Sequence, residues 1–172
     1  TDALDKNTTG DQNVAIGTST LENNTTGFSN IALGKDAMKS NTTGSRNTAF
    51  GIEALQNSTT GERNTSIGNF TLSNSTTGSN NTAMGHASMQ ATTTGTLNVA
   101  AGNVSLWKNT TGSSNVGIGV GTLYENLIGN ENTAVGYAAG EDVLGSGNVF
   151  LGYKAGNKET GSNTLYISNS DT

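Results

Sequence analysis

Apolar residues recur along this chain in very short blocks at one fixed interval. Residues 13–17 read "NVAIG", and "NIALG", "NTAFG", "NTSIG", "NTAMG", "NVAAG", "NVGIG" and "NTAVG" follow, each seventeen residues after the last. Consecutive side chains of an extended chain point to opposite faces. The block therefore predicts a short strand with a small column on one face (Ala15, Ala32, Ala49, Ser66, Ala83, Ala100, Gly117, Ala134) and a large column on the other (Ile16, Leu33, Phe50, Ile67, Met84, Ala101, Ile118, Val135). A further apolar column, Leu21, Met38, Leu55, Leu72, Met89, Leu106 and Leu123, predicts a second strand in each unit.

The polar positions keep the same step. A first glycine, after Thr-Thr in most units, stands at Gly10, Gly27, Gly44, Gly61, Gly78, Gly95, Gly112 and Gly129. An asparagine stands at Asn13, Asn30, Asn47, Asn64, Asn81, Asn98, Asn115 and Asn132, and a second glycine at Gly17, Gly34, Gly51, Gly68, Gly85, Gly102, Gly119 and Gly136. Beyond Gly129 the spacing tightens, to Gly145 and Gly161 and to Asn148 and Asn163. A short fixed period identifies a repeat array. The expectation is an all-β parallel β-roll or solenoid of about ten coils over 1–163, with 164–172 as an exit strand or linker. Stacked at roughly 4.8 Å per coil, it would form a rod on the order of 50 Å long.

Leu, Ile, Val and Phe are scarce enough to raise the question of disorder. The modest net charge of −5 and the return of apolar residues to the same columns argue for a folded chain. No proline interrupts the strands, and the 24 glycines supply turns. No cysteine is present, which removes disulfides and thiolate chemistry. The mild acidity gives no basic stripe for nucleic acid. No apolar run approaches a membrane span or a signal-peptide core, so direct membrane insertion is not expected.

A strand apolar on both faces would leave a greasy stripe on an isolated narrow rod, and such stripes are normally buried in interfaces. One column is expected to fill the lumen and the other to meet identical columns of partner chains, which makes Ile16, Leu33, Phe50, Ile67, Met84, Ile118 and Val135 candidates for either core or interface. A wider monomeric β-helix is the alternative. The asparagine column predicts a hydrogen-bonded ladder. N-x-[ST] matches such as Asn7-Thr8-Thr9 and Asn41-Thr42-Thr43 arise automatically from the repeat.

The blocks "NVAIG", "NIALG", "NTAFG", "NTAMG" and "NTAVG" resemble the head repeats of trimeric autotransporter adhesins, with similar motifs in bacterial and phage surface-fibre proteins. The resemblance spans residues 7 to about 163. It implies a left-handed parallel β-roll, three chains side by side, extracellular display, and an adhesive or spacer function. The seventeen-residue unit is longer than that family's typical head repeat, and neither a heptad stalk nor an anchor barrel is visible.

No cofactor, metal or catalysis is expected. The one histidine, His86, follows a repeat glycine in a variable column, and Asp36, Glu53, Glu62, Glu125 and Glu141 fall at variable positions without a fixed pair per unit. The calcium-binding pattern G-G-x-G-x-D is absent. One candidate recognition surface stands out. Trp107 and Tyr124 follow the Leu/Met position in successive units, and adjacent rings either stack against a ligand or stack on each other as a ladder. The function classes left open are a structural and adhesive fibre segment, a phage fibre shaft, or a module that binds glycan, protein or ice, with a host or environmental surface as partner.

Overall fold

The computed structural model describes residues 2–169. It is a β-solenoid of about nine turns whose ten strands form one parallel sheet in sequence order. The strands are β1 Val14–Ile16, β2 Ile31–Leu33, β3 Thr48–Phe50, β4 Thr65–Ile67, β5 Thr82–Met84, β6 Val99–Ala101, β7 Val116–Ile118, β8 Thr133–Val135, β9 Val149–Leu151 and β10 Leu165–Ile167. Like pairs with like: Ala32 lies beside Ala15 and Ala49, and Leu33 beside Ile16 and Phe50. A seventeen-residue unit stacked in register puts every column over itself.

The alternation resolves which column lies inside. The central residue of each strand points into the rod, so Ala32, Ala49, Ser66, Ala83, Ala100 and Ala134 are fully buried, while the large column faces outward. The Leu/Met column, Leu21 through Leu123, is also fully buried. Small residues opposite large ones fit a lumen only a few side chains wide, and close packing of this kind dominates apolar stabilisation.

The Leu/Met segment is a turn, not the expected second strand. Leu21, Met38, Leu55, Leu72, Met89, Leu106 and Leu123 all adopt left-handed φ between 50° and 53°, and several residues two positions before them are left-handed too, among them Asp36 at 57° and Glu53 at 57°. Left-handed backbone costs a non-glycine residue roughly 1–2 kcal/mol. The coil-to-coil ladder compensates. Met38 and Ser40 donate their N–H to Ala54 and Gln56 of the next coil, whereas Ala37 and Asn41 donate back within their own turn. The two glycine columns answer to different constraints. Gly34 has φ +137°, and a Cβ on it would lie 2.3 Å from the Gly51 carbonyl oxygen. Gly44 has no such φ but would carry its Cβ 2.5 Å from the Gly61 carbonyl oxygen, so it is required by close stacking alone.

Two further expectations are corrected at the tightened coils. Thr164, not Asn163, continues the asparagine column, because its N–H donates to Asn148 Oδ1 while Asn163 donates to the Ser146 carbonyl. The segment expected to leave the roll instead adds a rung: β10 pairs with β9 in parallel, Tyr166 beside Phe150. Residues 170–172 of that expected exit segment lie outside the described residues.

Candidate functional site

Each three-residue strand turns its first and third side chains to the outside, which gives two parallel outward columns on one sheet face. The first carries Val14, Ile31, Thr48, Thr65, Thr82, Val99, Val116, Thr133, Val149 and Leu165; the second carries Ile16, Leu33, Phe50, Ile67, Met84, Ala101, Ile118, Val135, Leu151 and Ile167. None of these side chains is charged, and Ile16 and Ile67 are 59% and 42% exposed. The candidates Ile16, Leu33, Phe50, Ile67, Met84, Ile118 and Val135 thus share one external face rather than a core. Toward the C-terminal coils the neighbouring columns turn apolar as well, with Val120, Tyr137 and Tyr153 on one flank and Ile128 and Leu144 at the Thr-Thr position. Tyr137 and Tyr153 stack at 5.5 Å, a pair the sequence reading missed although both directly follow a repeat glycine.

Trp107 and Tyr124 do come together. Their rings stack at 5.1 Å with an interplanar angle of 18°, so each covers one face of the other. The indole N–H donates to Gln90 Oε1 one coil earlier, and Lys108 Nζ lies 5.9 Å and 5.6 Å from the two ring centroids while pairing with Glu125 at 2.6 Å. That ion pair holds the Lys108 ammonium above its ordinary pKa. Trp107 and Tyr124 are both half-buried, and their ring faces look along the rod toward neighbouring coils.

The asparagine column forms the expected ladder. Asn47 Oδ1 accepts the N–H of Asn64, and Asn47 Nδ2 donates to the Gly61 carbonyl. A second column, Asn7, Asn24, Asn41, Asn109 and Asn126, buried except at Asn7, stands three residues before the first glycine, donates its amides to that glycine's carbonyl in the same coil, and was not singled out in the sequence. Of the sequon residues, Asn41 is fully buried with its amide donating to Asn24 Oδ1 and to Gly44, which leaves no free amide for a glycan on the folded chain. The Thr-Thr column splits: Thr25, Thr42 and Thr59 donate their hydroxyls to carbonyls of the next coil, while Thr26, Thr43 and Thr60 are exposed.

The polar groups outside these ladders are dispersed. His86 is exposed and meets Phe70 edge-on at 5.7 Å. Asp36 pairs with Lys39 at 3.1 Å, and Glu62 lies near Arg46 and Arg63. Among the described residues no three His, Cys, Asp or Glu side chains are grouped to hold a metal ion, no ligand-sized pocket is present, and no helix is long and apolar enough to cross a membrane. Comparison with protein-family models, curated proteins and solved structures gives no match.

Proposed function

We propose that this chain is a non-enzymatic structural and adhesive segment of an extracellular surface fibre in which three copies lie side by side through the outward sheet face. One observation carries the reading: the twenty outward strand positions of ten consecutive rungs hold no charged residue and are mostly apolar. Monomeric proteins rarely leave a contiguous apolar patch of this extent in water. An in-register ladder is also self-complementary along its length, because each copy offers the same residues at the same repeat. The number three and the extracellular setting rest on the resemblance of the repeats to adhesin heads.

Molecular mass in solution tests the proposal. Three chains of 17.5 kDa give a particle of about 52 kDa. A monomer at micromolar concentration would overturn it.

A further inference from the structure

The second buried asparagine column is interrupted. In place of asparagine, three successive coils carry Ser58, Ser75 and Thr92. All three are fully buried, and none of their hydroxyls has a hydrogen-bond partner; neither does Asn41 Oδ1, at the edge of the interruption. Five-sixths of the buried unpartnered side-chain atoms of the described chain belong to this one column: these four and Asn109 Oδ1.

The intact coils show what is missing. Asn24 Nδ2 donates both to Asn7 Oδ1 of the preceding coil and to the Gly27 carbonyl of its own, and Asn41 Nδ2 repeats this toward Asn24 and Gly44. Each first-glycine carbonyl in such a coil accepts two amides. Gly44 takes Asn30 and Asn41, and Gly112 takes Asn98 and Asn109. In the interrupted coils Gly61, Gly78 and Gly95 keep only one, from Asn47, Asn64 and Asn81. The shorter side chain also stands farther back: a Cβ on Gly44 would lie 2.4 Å from Asn41 Oδ1, but one on Gly61 would lie 3.0 Å from Ser58 Oγ.

We propose that each interrupted coil binds one internal water in the place of the absent carboxamide nitrogen, a file of three waters beside Ser58, Ser75 and Thr92. Each water accepts the hydroxyl proton of its own coil and donates to that coil's glycine carbonyl. Its second proton goes to the preceding coil: to Asn41 Oδ1 for the first, to Ser58 Oγ for the second and to Ser75 Oγ for the third. Three hydrogen bonds per water is the usual coordination of buried water, and a buried hydroxyl without any partner is costly. Asn109 Oδ1 lies beyond the file, where Asn126 Nδ2 donates to the Gly129 carbonyl and not to it. The waters extend the polar ladder through coils whose sequence has lost it.

A crystal structure at about 1.5 Å, with that of Ser75→Asn beside it, tests the inference. Expected are three ordered waters, each within about 2.7–3.2 Å of its hydroxyl and its glycine carbonyl. The variant should lose the middle one, with the new Nδ2 on its position and the other two retained. Hydroxyls bonded directly to Gly61, Gly78 and Gly95 with no density between would overturn the proposal. So would a variant that keeps all three waters. Should the variant fail to fold, water-to-protein cross-relaxation at the Ser75 side chain and the Gly78 amide of the unaltered chain decides: long-lived cross-peaks support the file, and their absence overturns it.

Discussion

The ring of Phe150 occupies the space that a side chain on Gly140 would need. A Cβ built on Gly140 would lie 2.6 Å from Phe150 Cδ2, and one on Gly156 would lie 2.3 Å from Cδ1. Phe150 stands in the small column, where most earlier coils carry Ala, and Gly140 and Gly156 stand in the Leu/Met column. A large residue has moved across the lumen and glycines have made room for it. Gly140 has φ +60°, close to the +50° of Leu123 one coil earlier, so the backbone would accept leucine; the ring excludes it, with Leu123 Cδ2 a lesser obstacle at 3.0 Å. Gly140→Leu should therefore lower stability by about 1–3 kcal/mol through overpacking. Combining it with Phe150→Ala should recover most of the loss, since the pair recreates an ordinary coil. A thermodynamic double-mutant cycle from denaturant unfolding checks both statements.

Ile67→Glu should leave the coil folded and remove the proposed self-association. Ile67 is exposed on the single chain, so the charge meets no interior there. Within a closed interface an unpaired charge costs about 3–5 kcal/mol. Circular dichroism and solution mass, read together, should show an unchanged fold at one third of the mass of the proposed trimer. Glu62→Ser, at a half-buried turn position that differs from coil to coil, should change stability by no more than about 0.5 kcal/mol.

Removing residues 59–75 keeps every column in phase and should give a shorter folded rod, because repeat arrays are held by nearest-neighbour contacts. Removing eight residues should split the single cooperative transition, as it would set Asn over Leu where the two remaining stacks meet. Thermal melts of the two deletions provide the comparison.

Replacing Trp107 and Tyr124 together with Gln, the residue at Gln56 and Gln90 in the same column, should cost about 0.5–1.5 kcal/mol if the rings serve one another. The mutual stacking leads us to expect that loss, with the proposed adhesion, read on a glycan array or host surface, unchanged. Lost adhesion with an unchanged melting temperature would make the pair a recognition site.

Acid should loosen the last coil first. The Gly161 N–H at 2.6 Å and the Tyr166 hydroxyl both donate to Glu159, and they hold its carboxyl below the usual range. A depressed carboxyl contributes stability that is present above its unfolded pKa and lost as pH falls through the folded one. The same bond to Glu159 raises the Tyr166 phenol, whose contribution is present below its unfolded value and lost as pH rises through the folded one. Amide exchange at 161–166 should accelerate at both extremes, and Glu159→Gln should flatten the acid limb.

The sequence made the period, the strand and the two faces legible, because alternation in "NVAIG" has only one extended reading. The Leu/Met segment was not legible as a turn. Its backbone is left-handed at alternate residues, Asp36 and Met38 among them, while still laddering to the next coil, and periodicity cannot distinguish that from a strand. Asn163 misled because a one-residue shortening moved the column onto Thr164. The exchange of Phe150 for Gly140 and Gly156 was visible as an exception, yet its meaning depends on knowing that the two columns face each other across the lumen. Of the candidate site, the residues of the large column were identifiable from chemistry, whereas their outward direction needed the position of the turns.

The ladder bonds run from each coil to the next, Met38 to Ala54 and Asn47 to Asn64 among them, and so lie along the rod rather than across it. Under tension applied between the chain's two ends, such bonds give way a coil at a time, like a zipper, and do not share the load. Each seventeen-residue coil that peels away releases about 55 Å of contour where it had occupied roughly 5 Å. A rod built this way would lengthen in near-uniform steps under load, slightly shorter at the sixteen-residue coils beyond Gly129, and rewind when the load falls, a mechanical property set by the repeat length.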